Sequence, residues 1–164
     1  VISGTITAAA LCLAMQTSGL PRANYACKHA KQVVKVCKKH KINPAVFVAL
    51  VSVESNWRPH VVSKDNACGL TQVLPQYSRY TCDQLKKPIT SIKEGGSKLK
   101  YWLHRYGKSN YLIGLCGYNK GHRCHTKKPN KRGMRYSRKV LKLALSVYRH
   151  LPGVKSEKAS FSLR

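Results

Sequence analysis

From Pro44 to Val53 almost every position is apolar, in the stretch INPAVFVALVSVESNWRP. Val46 to Val51 would be apolar on every face of a helix, which places that helix in the centre of a fold rather than on its surface. Asn43 is a suitable N-cap and Pro44 a suitable first helical residue. The helix should stop near Asn56, before Trp57-Arg58-Pro59, because a residue preceding proline avoids the helical region. One carboxylate, Glu54, sits at the end of the run.

Around this segment the patterns are amphipathic. Cys27 to His40 predicts a helix with Cys27, Ala30, Val34 and Cys37 on one stripe and lysines on the other faces. Residues 61–82 are loop-rich, with Gly and Pro punctuation, and a short helix after Pro75 fits. A long helix starting near Thr90 or Ser91 would turn Ile92, Gly96, Leu99, Leu103 and Tyr106 inward, with Trp102 beside them. Tyr111 to Tyr118 predicts a short apolar helix, and Lys127 to Arg135 a basic loop. In the last helix Tyr136, Val140, Leu143, Ala144, Val147, Tyr148 and Leu151 share a face. Gly153 to Arg164 reads as a polar, mobile tail. No repeat and no second domain is visible, so the pattern implies one mainly α domain with little or no sheet.

Charge changes the picture. The chain has 164 residues, 31 Lys and Arg against five Asp and Glu, and a net charge of +26. The length supports one domain with a real core. Such a surface seeks anions: nucleic acid, anionic lipid or an anionic cell wall. Its basic residues gather in Lys28–Lys41, Lys98–Lys108 and His122–Lys139. The first two lie on helix faces opposite the apolar stripes and should point outward, and the third is mostly a loop, so that together they would form a basic rim.

Residues 1–26 resemble a secretory signal lacking its start. ITAAALCLAM has the length of an apolar signal core, Ala26 is a candidate cleavage point, and the run is short for a membrane span. The segment is therefore either signal-like or a retained apolar piece, before a domain at 27–152 and a tail at 153–164.

Seven cysteines are present. Setting aside Cys12 in the apolar segment, the even set Cys27, Cys37, Cys68, Cys82, Cys116 and Cys124 suggests three disulfides and an oxidising compartment. On a continuous helix Cys27 and Cys37 would lie roughly 15 Å apart along the axis, too far to join. Cys68–Cys82 and Cys116–Cys124 would each close a short loop, but both together would leave only that excluded pair. At least one must then give way to a long-range bridge. Zinc held by Cys116, His122, Cys124 and His125 is the competing reading, with a spacing unlike standard zinc sites. No metal and no cofactor is expected.

A carboxyl at the end of an apolar helix loses solvation, and its pKa rises. That is what a general acid needs, provided desolvation exceeds the opposing field of so many cations. The plain structural alternative is a glutamate paired with Arg58.

The surroundings of Glu54 resemble the soluble lytic transglycosylase family, whose members share a lysozyme-like fold with goose-type lysozyme. Glu54, Ser55, Trp57, Pro59 and the VVS ending at Ser63 match its first motif. Gly69, Leu70, Thr71, Gln72 and Pro75 match the second, Tyr118, Asn119 and Gly121 the third, and Tyr136 the fourth. Thr71 stands where the family has Met, which would remove one apolar wall of the sugar site, and Lys120 adds a cation beside it. The cysteines near the second and third motifs lie outside the family pattern. The resemblance covers about Asn43 to Arg149. It implies a lysozyme-like domain, here stapled by disulfides, that degrades peptidoglycan.

By the same resemblance, Glu54 would protonate the oxygen between N-acetylmuramic acid and N-acetylglucosamine. It would then act as base on the muramic C6 hydroxyl, giving a 1,6-anhydro product. Ser63 and Gln72 would hydrogen-bond the sugar, and Tyr118, Asn119 and Tyr136 would line the cleft. A goose-type hydrolase using Asp65 or Asp83 is a variant, and an inactive wall- or nucleic-acid-binding module is an alternative of another class. Glycan strands are the expected partner, with non-specific DNA binding from charge. The expected location is exported: periplasm, outside the cell, or a virion or secretion assembly.

Overall fold

The computed structural model describes residues 6–105, 110–126 and 128–154. Helix α1 (Ala8–Thr17) is capped by Thr7, whose side chain accepts from Ala10 N. A short α2 (Ala23–Cys27) follows, then α3 (Ala30–His40), α4 (Pro44–Ser55), α5 (Cys82–Leu85), α6 (Pro88–Arg105), α7 (Tyr111–Lys120) and α8 (Lys131–Arg149). Pro75–Tyr77 and Gly121–Cys124 are 3-10 turns. Among the described residues, extended structure is limited to isolated bridges from Cys68 to Val62 and Val73. The mainly α, disulfide-stapled single domain expected from the sequence is what forms.

Helix α4 runs through the middle, as its pattern requires. Val46 to Val51 are all completely buried, against α8 on one side and α3 on another. Burying each of the Val, Leu and Phe side chains among them contributes about 1.5–3 kcal/mol. Asn43 caps it by accepting from Ala45 N, and the Asn43 N–H donates to Tyr111 Oη at 2.7 Å, which ties the start of α4 to α7. The inward stripes of α6 and α8 hold as well: Ile92, Gly96, Leu99 and Leu103 on α6, and Val140, Ala144 and Val147 on α8, are buried; on α3 the buried residues are Ala30, Val33, Val36 and Cys37, with Val33 and Val36 inward rather than Val34.

In the apolar N-terminal segment Leu11, Ala14 and Met15 are fully buried, and α1 packs on α3 and α8. The structure departs from the sequence reading in three places. The helix expected from Cys27 to His40 breaks at Lys28 and His29 into α2 and α3. The basic loop ends early, because Asn130 accepts from Gly133 N and starts α8 at Lys131. The long helix opens at Pro88 rather than Thr90, with proline in its favoured first position. Tyr106, Lys127 and residues 155–164 of the expected tail lie outside the described residues.

The cysteine pairing is corrected too. Three disulfides form, Cys12–Cys27, Cys68–Cys82 and Cys116–Cys124, and Cys37 is free and buried. Cys27 and Cys37 are indeed not joined. Cys12 takes Cys27 instead, so both short-range bridges coexist and neither gives way. The reason is the folding of α1 onto α2, which brings the Cys12 and Cys27 Cα atoms to 4.8 Å. Cys116 and Cys124, the thiols of the zinc reading, are spent on each other.

Candidate active site

Glu54 lies in the last turn of α4, and the chain leaves that helix abruptly. Asn56 and Trp57 both take left-handed conformations, φ 51° and 56°. For a non-glycine residue this costs roughly 1–3 kcal/mol and persists only where the surroundings enforce it. Here the Trp57 ring is fully buried and its Nε1–H donates to Ser52 Oγ at 2.9 Å. Ser55 Oγ donates to Leu70 O at 2.8 Å, tying the helix end to the following loop. Arg58 does not serve Glu54 in the way the structural alternative needs: its Nε–H turns back to Ser55 O at 3.1 Å.

Burial pushes the Glu54 carboxyl up to about 7, although a hydrogen bond from Tyr136 and the charge of Lys120 pull the other way. Desolvation therefore outweighs the surrounding cations, and near neutrality the group is divided between its protonated and ionised forms. Tyr136 Oη donates to Glu54 Oε1 at 2.5 Å. The Tyr136 and Tyr118 hydroxyls are raised well above the ordinary tyrosine value, chiefly by burial and then by the Glu54 charge. They remain protonated donors. Tyr118 Oη donates a hydrogen bond to Thr71 O at 2.7 Å, which fastens α7 to the residue before Gln72.

The loop facing Glu54 is organised by its own polar groups. Gln72 is left-handed, φ 50°, and its Nε2 donates to Val61 O and Gly69 O at 3.0 and 2.9 Å. Ser63 Oγ accepts from Ala67 N at 3.0 Å. The bridges at Cys68 and the Cys68–Cys82 disulfide hold the same loop. Of the residues picked from sequence, Glu54 and Tyr136 touch directly, and Tyr118 reaches the Gln72 loop through one bond. The bonds of Ser63 and Gln72 order the loop, and Asn119 is half-buried in the last turn of α7.

The sequence reading missed the support behind this loop. Thr71 is fully buried; its Oγ1 donates to Ser91 O at 2.9 Å and its N–H to Ser91 Oγ at 3.1 Å. It is thus a tie to α6 rather than a lost cleft wall. A Cβ on Gly95 would stand 2.4 Å from Thr71 Cγ2, so only glycine lets α6 approach. The signal was the Gly95-Gly96 pair inside a helix, where each glycine costs about 1 kcal/mol against alanine and needs a packing reason.

Other carboxylates are differently placed. Asp65 is exposed. Asp83 accepts from Lys86 at 2.9 Å on the surface. Glu94 accepts from Ser78 Oγ at 2.9 Å and lies 3.4 Å from Lys98 Nζ. Among the described residues no group of three or more His, Cys, Asp or Glu is disposed to hold a metal. The arrangement around Glu54 can deliver a proton from a desolvated carboxyl and take one back.

Known proteins resemble the chain in sequence and in fold. Residues 32–141 match the family profile described as "Transglycosylase SLT domain". The soluble lytic murein transglycosylase of Salmonella typhimurium is 31% identical over 91 residues, covering 49% of this chain and 14% of that protein. The lytic transglycosylase Slt of Pseudomonas aeruginosa, solved as an inactive glutamate-to-glutamine mutant, superposes with a TM-score of 0.65 at 15% identity. That match spans 88% of this chain and 30% of the other. The 70 kDa soluble lytic transglycosylase of Escherichia coli superposes with a TM-score of 0.67 at 22% identity, over 87% and 30%. The chain thus spans less than a third of the length of each of these relatives.

Proposed function

The chain belongs to the transglycosylase SLT domain family, and on that premise we propose that it is a peptidoglycan lytic transglycosylase in which Glu54 is the catalytic acid and base. The observation that carries the reading is a carboxyl held near 7 at the end of a buried helix, with Tyr136 hydrogen-bonded to it. In its protonated form Glu54 gives the proton to the oxygen of the β-1,4 bond between N-acetylmuramic acid and N-acetylglucosamine as that bond breaks. The carboxylate then accepts the proton of the muramic C6 hydroxyl, whose oxygen closes on C1. The product is a 1,6-anhydro sugar and Glu54 ends protonated as it began. Tyr136 steadies the carboxylate between the two transfers.

This scheme needs one carboxylate, whereas most glycoside hydrolysis uses two. The engagement of Asp83 with Lys86 and of Glu94 with Ser78 and Lys98 favours it. In the Pseudomonas aeruginosa relative a glutamate-to-glutamine change gives an inactive enzyme, which supports a glutamate as the working group. The Gln72 amide nitrogen is committed to the backbone, so its amide oxygen is the group that would meet the sugar, with Asn119 and Tyr118 along the cleft and Ser63 shaping the loop. The disulfides and the charge fit a wall-opening component outside the cytosol, in a virion or a secretion machine. Among the described residues no helix is long and apolar enough to cross a membrane.

Mass spectrometry of muropeptides released from purified wall tests the reaction. Ends in 1,6-anhydromuramic acid, each lighter by one water than a hydrolysed end, are expected. Reducing ends throughout would move the chain to the hydrolases and make Asp65 the next residue to replace. No release at all would leave a binding module.

A further inference from the structure

The stretch Thr71–Ser78 is pinned to α6 at both ends. At its start Thr71 bonds to Ser91 and packs on Gly95. At its end Ser78 Oγ donates to Glu94 Oε1 at 2.9 Å. Glu94 and Gly95 are neighbours in α6, so both feet of this loop stand on one turn of that helix. Gln72 lies just inside one foot and Tyr77 just inside the other. Glu94 also adjoins the cleft: after burial and the Glu54 charge, its own charge is a further cause that lifts the Tyr118 hydroxyl.

Tyr77 is held stiffly and left open. Pro75 opens the 3-10 turn Pro75–Tyr77, in which Tyr77 N–H donates to Leu74 O at 3.0 Å and Ser78 N–H to Pro75 O at 2.9 Å. Lys98 Nζ donates to Tyr77 O and lies 3.4 Å from Glu94 Oε1. Lys98 is therefore turned onto the loop and is not an outward-pointing charge, against the sequence expectation. Glu94 is 8% exposed, and a buried carboxylate is costly unless it is paired and hydrogen-bonded. The chemistry at Glu54 does not use it; its bonds fix this turn. The Tyr77 ring is nevertheless 67% exposed, more than any other large hydrophobic among the described residues. A lone exposed apolar side chain needs no explanation, but here a buried carboxylate and a lysine are spent on fixing its backbone.

We propose that Tyr77 is a sugar-stacking residue, which holds through its ring face one pyranose of the glycan strand beside the pair joined by the scissile bond. Glu94, Ser78 and Lys98 are the positioning residues that present it. In β-1,4-linked N-acetylhexosamines the ring substituents are equatorial, so each sugar face offers axial C–H groups. The negative face of an aromatic ring attracts such groups. Tyrosine gives a broad contact with few torsions to freeze, and a backbone fixed in advance lowers the cost of binding further. This role rests on the reading of the chain as a glycan-cleaving enzyme and deepens it, with a residue outside the four motifs.

The test measures equilibrium binding of peptide-free, end-labelled glycan strands from purified wall to the whole chain carrying Glu54→Gln, so that the strands stay intact. Adding Tyr77→Ala should weaken binding roughly tenfold, the scale of one good ring contact. Tyr77→Phe should bind like tyrosine, whereas Tyr77→Leu, apolar but without a ring face, should bind like alanine. Tyr101→Ala, at the other exposed tyrosine, should change nothing. The difference between Tyr77 and alanine should persist as salt is raised, because a ring contact is not screened as charges are. Ser78→Ala should weaken binding when Tyr77 is present and add nothing to Tyr77→Ala, a non-additivity that a general loosening of the fold does not produce. Equal binding by Tyr77 and alanine, leucine binding as well as phenylalanine, a difference that fades with salt, or a Ser78 effect independent of Tyr77 would each overturn the role. If the Glu54→Gln chain binds no strands at all, the reading of the function falls with it. If strands are bound, and are cut to anhydro ends by the Glu54 protein, yet Tyr77 makes no difference, the stacking role falls alone.

Discussion

Replacing Glu54 by glutamine should make the protein inactive and, in neutral solution, more stable. The carboxyl is raised from an ordinary 4.5 to about 7, so between those values the folded state holds a proton that the unfolded state releases. Stability contributed by the protonated group is fully present below pH 4.5 and is lost as pH rises through the folded value of about 7. At 1.36 kcal/mol per unit, the loss approaches about 3 kcal/mol above pH 7. Glutamine cannot ionise, and its amide oxygen still accepts from Tyr136. The stability gap between Glu54→Gln and the parent should therefore widen in favour of glutamine by up to about 3 kcal/mol from pH 4.5 to pH 8. Contributions common to the two proteins cancel in the difference. Urea unfolding at the two pH values reads this directly, as a relative midpoint shift of roughly 1–2 M for a slope near 2 kcal/mol/M. Wall cleavage should fall on the order of a hundredfold or more. A gap that stays constant with pH would show that Glu54 is not desolvated, and retained cleavage would remove it from the chemistry.

Two further substitutions probe the same architecture. Tyr136→Phe removes a hydrogen bond that favours the ionised carboxylate, so the alkaline limb of the pH profile of kcat/KM should move up by roughly one to two units, the scale of a charged hydrogen bond worth about 1.5–3 kcal/mol; a limb that stays or moves down contradicts the assignment. Replacing both Cys12 and Cys27 by serine should cost about 3 kcal/mol, the scale for a loop of this length, seen as a lower Tm, and an unchanged Tm would mean that α1 is held without the bridge.

The parts of the fold that were legible in the sequence are those where local pattern and tertiary need agree. Pro44–Ser55 carries its own cap and an all-apolar body, and it is central for that reason. Glu54 was visible as an anomaly, an ionisable group where the chain is otherwise apolar. What escaped was decided by partners distant in sequence. ITAAALCLAM is equally apolar in a signal and in a buried helix, so its packing on α3 and α8 was not legible. Cys12 was set aside with that segment, and the whole pairing scheme shifted. Thr71 looked like a loss of apolar wall until Ser91, 20 positions away, supplied its partner. Asn130 was the overlooked start signal of α8, hidden among the lysines of an expected loop.

The docking of α1 on α8 also sets an order of events during synthesis. Leu11, Ala14 and Met15 emerge from the ribosome early, but part of the surface that covers them belongs to Lys131–Arg149. A contact between such distant stretches closes only after the intervening chain is made, and such non-local closure is slow. Until then the apolar side of α1 is open to chaperones or to other nascent chains. Folding of this domain therefore waits on α8, and a truncation within α8 should leave an aggregating chain rather than a smaller working domain.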